Sequence, residues 1–218
     1  MIRRATRAGL SGTGLMQSPD RHDLPGADLL RLARDSIEYG LDHDKPVPVD
    51  LDGLPVDLME PSATFTTLRL DKKLRGCCGT LEAARPLAMD VANSAFQAAF
   101  RDRRFQPLAR DEFGRIKLEV SVLTPLEAMP VANEADLLNR LVPGTDGLVI
   151  VDGVRRATFL PKVWESLPEP HQFLVELKTK CGLPDDYWSE RLRFFRYRAS
   201  LYAEPEALDV AQLRPSTM

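Results

Sequence analysis

The sequence predicts an α+β fold with mainly antiparallel strand pairing and helices packed on the sheet. Three observations carry this. Segments of strand period and helix period both occur, two hairpin signatures punctuate the chain, and helices and strands do not alternate as a doubly wound parallel sheet requires. At 218 residues and 24.4 kDa, folding can bury roughly 70% of the surface exposed by the unfolded chain, enough for a core without covalent staples. The length suits one domain, at 23–204, between tails at 1–22 and 205–218.

The elements follow in order. Leu29, Leu32, Ala33, Ile37 and Leu41 recur at helical spacing, so 23–41 is an amphipathic helix. Pro46, Pro48, Pro55 and Pro61 make 42–61 extended and turn-rich. Branched and aromatic residues at 63–70, then Asp71-Lys72-Lys73, then 74–81, read as a hairpin. A helix at 82–100 has Pro86 in its first turn. Its Asp90, Asn93, Gln97 and Arg101 form one narrow polar stripe; the remainder is apolar or small and belongs deep against a sheet. Ile116, Leu118, Val120 and Val122 alternate with Lys117, Glu119 and Ser121 in a half-wet strand. A short helix at 134–141 precedes a second hairpin, 148–151 with 155–160, around Asp152-Gly153. Pro168 and Pro170 separate a turn at 162–167 from a helix at 171–181 stopped by Gly182, and 194–202 is one final strand.

Composition removes several function classes. The formal charge is −3, from 29 basic and 32 acidic residues, so no overall positive field points to nucleic acid as the partner. No stretch approaches the ~20 consecutive apolar residues of a membrane span. Arg3, Arg4 and Arg7 precede the first acid, Asp20, without an apolar core, which reads as a flexible tail rather than a targeting segment. Cys77, Cys78 and Cys181 are an odd set with two adjacent members, as expected of a reducing, cytoplasmic compartment. His22, His43 and His171 lie far apart, so no metal site is expected. Gly144-Thr145-Asp146-Gly147 lacks both the lysine of a phosphate loop and a dinucleotide fingerprint, and no cofactor is expected.

The segment Leu74-Arg75-Gly76-Cys77-Cys78-Gly79-Thr80 concentrates the chemistry. Glycines within a strand mark a bulge or a close approach to the backbone. In an extended chain Arg75 and Cys77 share one face and Cys78 takes the other. An arginine beside a thiol favours the thiolate, so Cys77 and Arg75 are candidate catalytic residues and Cys78 is a core filler. Gly76, Gly79 and Thr80 line a candidate binding loop, and Arg69 or Arg104 is placed to hold a carboxylate or phosphate of a small anionic ligand. Arg101, Arg103 and Arg104 also complement the C-terminal end of the preceding helix. Arg110, Asp111 and Glu112 read as solvated surface, Trp164 and Trp188 as core or lobe-interface residues.

LRGCCGTL at 74–81, DRRF at 102–105, EVSVLTP at 119–125, GTDGL at 144–148, FLPKVW at 159–164 and KCGL at 180–183, in this order, resemble the AMMECR family, whose bacterial members are the AmmeMemoRadiSam system protein A. Leu74, Arg75, Gly76, Cys77 and Gly79 match the family motif; Cys78 stands where an isoleucine-like residue is usual, Arg103 replaces a proline and Lys162 a glutamine. The resemblance implies a larger and a smaller lobe in one domain, with a cleft near the cysteine motif. It implies Memo-like and radical-SAM proteins as partners and supplies no established reaction. A small-molecule or partner-binding component is expected, with an enzyme using Cys77 as nucleophile on an anionic substrate as the alternative.

Overall fold

The computed structural model describes residues 26–205. The tails expected at 1–22 and 205–218 lie outside these residues, apart from Pro205. Helix α1 (Gly26–His43) buries Leu29, Ala33 and Ile37. After the proline-rich connection, which contains one helical turn, α2 (Val56–Met59), come β1 (Pro61–Leu70) and β2 (Lys73–Gly79). The turn between them places Asp71 and Lys72 at positive φ.

The next helix starts later than its sequence pattern suggests. Arg85–Pro86 is a short strand, β3, paired with Pro61 and Ser62, and α3 runs over Leu87–Phe100. Pro86, at φ −48 and ψ 142, is the helix's cap, so residues 82–86 remain non-helical. Pairing with β1 thus overrides a helix-compatible sequence. A turn, α4 (Arg110–Phe113), leads to β4 (Lys117–Leu123). Then come β5 (Glu127–Ala128), α5 (Glu134–Arg140) capped by Asn133, β6 (Gly147–Asp152) and β7 (Arg155–Phe159). A 3-10 helix at Pro161–Glu165 and α6 (Pro170–Lys180) follow, with Gly182 at φ +71 ending α6 as expected.

The last strand divides in two. Arg193–Tyr197 is β8 and Ala199–Ala203 is β9, each in a different sheet. Arg198 makes the passage, its N–H donating to Thr124 Oγ1 and its carbonyl accepting from the Thr124 N–H, both at 2.9 Å. Side-chain alternation continues through such a crossing, so the pattern could not reveal it.

All pairings among the described residues are antiparallel: β2-β1-β4-β9, with β3 beside β1, and β5-β8-β6-β7. The first sheet packs Leu68, Leu118, Val120 and Val122 against α1 and α3. The second packs Leu148, Ile150, Ala157 and Phe194 against α6 and Trp164. Cys181 belongs to this second core and Trp188 packs against it. A third cluster, Ala63, Leu123, Val149 and Tyr197, joins the two sheets through their remaining faces. No helix among the described residues is long and apolar enough to cross a membrane.

Candidate functional site

The cysteine motif lies on β2, at one end of the first sheet. Leu68 pairs with Gly76 but Arg69 pairs with Leu74, which leaves Arg75 as an extra residue in a bulge. Beyond it the strand is regular: Thr67 faces Cys77 and Thr66 faces Cys78. Thr66 bonds to Ser94 of α3, so Cys78 lies on the α3 side and Cys77 on the face toward the second sheet. Gly76 is obligatory for contact with α3, because a Cβ there would come within 2.1 Å of the Ala98 carbonyl oxygen.

The bulge corrects the expectation for Arg75. An inserted residue re-aims its side chain. The Arg75 guanidinium turns to Glu112, with Nε–Oε1 at 2.8 Å and Nη2–Oε2 at 2.7 Å, and donates to the carbonyls of Gln106 and Pro107. It anchors the 106–113 segment rather than polarising a thiol, and Glu112, expected to be solvated surface, is its half-buried partner. The Arg75 side chain holds the Glu112 carboxyl below its usual range.

The arginine beside Cys77 is Arg104. Asp102 Oδ2 accepts the Cys77 N–H at 2.9 Å, and Arg104 Nη2 reaches the Cys77 carbonyl at 3.4 Å. Arg104 also grips Asp102 through Nε and Nη2, at 2.9 and 2.7 Å, and this pairing holds the Asp102 carboxyl down to about 2. The pair closes the outer edge of β2. Arg69 is engaged too, donating to Glu119, which also receives Lys162 at 2.7 Å. Burial works to raise the Glu119 carboxyl, but Lys162 and Arg69 together pull it below its usual range. Each arginine expected to cradle an anion therefore already faces a carboxylate, and of the basic cluster Arg101 pairs with Asp44.

The cavity at the motif lies between β2 and α3. It holds about 350 Å³ and is lined by Phe65, Cys77, Cys78, Gly79, Thr80, Asp90, Asn93, Ser94 and Gln97. The polar stripe of α3 thus becomes one wall. Asp90 is 1% exposed; its Oδ2 accepts the Thr64 N–H at 2.8 Å and the Thr64 hydroxyl at 2.7 Å, and Oδ1 faces Arg85 Nε at 3.3 Å. Burial pushes its carboxyl up against these partners. Ser94 Oγ lies 3.0 Å from Thr64 Oγ1 and 2.8 Å from Thr66 Oγ1, extending the network along the cavity floor. Cys78, expected as a sealed core filler, is half-buried and reaches the cavity, and burial raises its thiol to about 11. It stays protonated at neutral pH.

Cys77 is half-buried as well, and its sulfur accepts from the Thr67 hydroxyl at 3.4 Å. Lys180, at the end of α6, is close enough for its charge to act on Cys77 and Arg104. Its ammonium donates to the Thr158 carbonyl at 2.9 Å and lies 5.0 Å from the centre of the Phe159 ring. Burial of the amine end lowers its pKa, although much of the side chain remains open to solvent. A second cavity, about 380 Å³, continues from here past Phe65, Gly79, Thr80, Glu82 and Arg156. Gly79 and Thr80 line both hollows. Among the described residues no cluster of His, Cys, Asp and Glu could hold a metal ion.

Asp90, Asn93 and Gln97 stand in the sequence as members of a polar stripe but not of a site, because a narrow polar stripe usually means solvent, and Ser94 lies outside that stripe. Asp102 and Lys180 sat inside recognised motifs, yet only the fold brings both to Cys77.

The comparisons agree with this architecture. The AMMECR1 family profile matches residues 30–202. The chain is 35% identical over 189 residues to the protein MJ0810 of Methanocaldococcus jannaschii, covering 83% of this chain and 90% of that one. It is 34% identical over 185 residues to a protein of Methanothermobacter thermautotrophicus, covering 82% and 94%. The crystal structure of the uncharacterized protein PH0010 from Pyrococcus horikoshii superposes with a TM-score of 0.76 at 32% identity, covering 82% of this chain and 91% of that one. A family match spanning both sheets and the cysteine strand, with relatives of similar length, places this chain in the AMMECR1 family.

Proposed function

We propose that this chain is a binding component that holds a small molecule in the cavity between β2 and α3 and acts beside Memo-like and radical-SAM proteins. One observation carries the ligand half: a helix that is otherwise buried against a sheet turns its polar stripe to a hollow, opposite the cysteine strand. Concave sites with a few convergent polar groups are the usual form of ligand pockets. The protonated Cys78 thiol and the carboxylate-bound arginines fit a recognition surface. The partner half rests on the family's association with those two protein classes.

The test is native mass spectrometry of the full chain after incubation with the low-mass fraction of a cell extract. Asn93→Phe, at a half-buried position on the cavity wall, obstructs the hollow; Cys77→Ala removes the alternative nucleophile. A retained mass that is lost in Asn93→Phe and kept in Cys77→Ala supports the reading. No retained mass, or one lost only in Cys77→Ala, overturns it. For the partner half, affinity capture with the two partner proteins should give a complex, and a chain that stays solitary in their presence removes it.

The second reading is nucleophilic chemistry at Cys77 on an anionic substrate, favoured by the nearby charges of Lys180 and Arg104. Alkylation across pH tests it: a Cys77 thiol that reacts no faster than a model thiol ends that reading.

A further inference from the structure

The cavity between β2 and α3 has a chemical signature sharper than "polar". Its lining contains no lysine or arginine. The one carboxylate on its wall, Asp90, is already matched by Arg85 and by two hydrogen bonds from Thr64. A phosphate or carboxylate entering this space would meet the Asp90 carboxylate and no cation on the wall itself, Lys180 and Arg156 lining the adjoining hollow instead, and a charge taken out of water without a partner is disfavoured. The favoured occupant is uncharged.

Two groups on the wall remain without partners. Among the described residues, the side-chain amides of Asn93 and Gln97 make no hydrogen bond, although both are half-buried and line the cavity. Each amide presents an N–H donor beside a carbonyl acceptor, the pairing that matches an adjacent acceptor and donor on the edge of a nitrogen heterocycle. They stand four residues apart on α3, so about 6 Å along the helix, one above the other. That separation suits two edges of one flat ring system. Phe65 and Thr80 also line the hollow. The volume of about 350 Å³ suits a base or its nucleoside and is small for a dinucleotide.

We propose that this cavity takes an uncharged flat nitrogen heterocycle of nucleobase type, free or as its nucleoside, read by the side-chain amides of Asn93 and Gln97. The proposal rests on the ligand-binding reading above and names its ligand class.

The experiment is calorimetric titration of the full chain with adenine, uracil, adenosine, guanosine, cytidine and uridine at up to millimolar concentration. Adenosine monophosphate, inorganic phosphate and acetate form the anionic arm. At least one base or nucleoside should bind saturably. That binding should weaken about tenfold in Asn93→Leu or Gln97→Leu, and it should be unchanged in Glu176→Ala, an exposed change on α6. Circular dichroism and the melting temperature establish that each variant folds. A base that binds as well as its nucleoside assigns recognition to the ring; a nucleoside that binds alone extends it to the sugar. Failure of all six heterocyclic probes overturns the proposal, as does tighter binding of phosphate or acetate, or binding indifferent to both leucine variants. If these probes fail while the extract ligand is still lost in Asn93→Phe, the ligand class falls and the binding reading stands. If no extract ligand is retained either, both fall.

Discussion

Asp102 accepts the backbone N–H of Cys77 at 2.9 Å, and the same carboxylate is clamped by Arg104, which leans back to the Cys77 carbonyl. The DRRF segment therefore works as a cover for the open edge of β2, satisfying both outward backbone groups of the residue at the centre of the motif. An uncovered edge strand is a template for pairing with another chain. Asp102→Ala should cost about 1–2 kcal/mol in urea denaturation at neutral pH. The pH dependence follows from the depressed carboxyl. Its contribution is fully present above the unfolded value near 4 and is lost as pH falls toward the folded value of about 2. Asp102→Asn should flatten that acid limb, and an unchanged limb would show that the carboxylate does not stabilise the edge.

Gly76 and Gly114 make a matched pair. A Cβ at Gly76 would lie 2.1 Å from the Ala98 carbonyl oxygen, whereas one at Gly114 would meet nothing within 4 Å, and Gly114 already has helical φ −70 and ψ −14. Gly76→Ala must push β2 off α3 and should cost about 3 kcal/mol. Gly114→Ala should be neutral or stabilising by about 0.4–1 kcal/mol, through a less flexible unfolded chain. Equal melting temperatures for the two variants would show that β2 and α3 tolerate separation.

The Cys78 thiol should be slow to alkylate. Burial raises it to about 11, above the free value of about 8.5. Iodoacetamide labelling followed by peptide mass spectrometry should show Cys78 modified appreciably only as pH climbs past about 9, with native circular dichroism retained over the range. The same shift makes the protein lose stability as pH rises from the unfolded value toward about 11, since the folded state resists ionisation. Labelling of Cys78 at neutral pH at the rate of a free thiol would contradict this.

Much of the fold was legible because it depends on local period. The alternation at 116–123 became β4, Gly153 turned its hairpin at φ +60, and Gly182 stopped α6. The opposite facing of Cys77 and Cys78 followed from the period of two. What escaped depends on register and on distance. The Arg75 bulge exists only relative to β1, and it moved a guanidinium from the thiol to Glu112. The division of the final strand depends on Thr124, 74 positions away from Arg198. Lys180 reaches the neighbourhood of Cys77 only because the second sheet carries α6 there. The wall formed by Asn93 and Gln97 shows in the sequence only as a stripe with no assigned neighbour, since a helical wheel gives direction but not what lies opposite.

The second core contains a test of how a buried charge is tolerated. Lys178 is 0% exposed, yet its ammonium donates to Glu134 Oε2 and to the Asp185 carbonyl, both at 2.7 Å. Glu134 retains 29% side-chain exposure, so the two partners are not equivalent. Removing the carboxylate strands a cation inside the protein, while removing the lysine leaves a carboxylate that can turn to water. Glu134→Leu should therefore cost about 3–5 kcal/mol. Lys178→Met keeps the side-chain volume and should cost about 1–2 kcal/mol, chiefly through the lost bond to the Asp185 carbonyl. The double variant should recover most of the Glu134→Leu loss, because no buried charge then remains. A double-mutant cycle by urea denaturation measures the coupling. Additive losses would mean that water reaches Lys178 once its partner is gone, and that α5 and α6 do not depend on this ion pair.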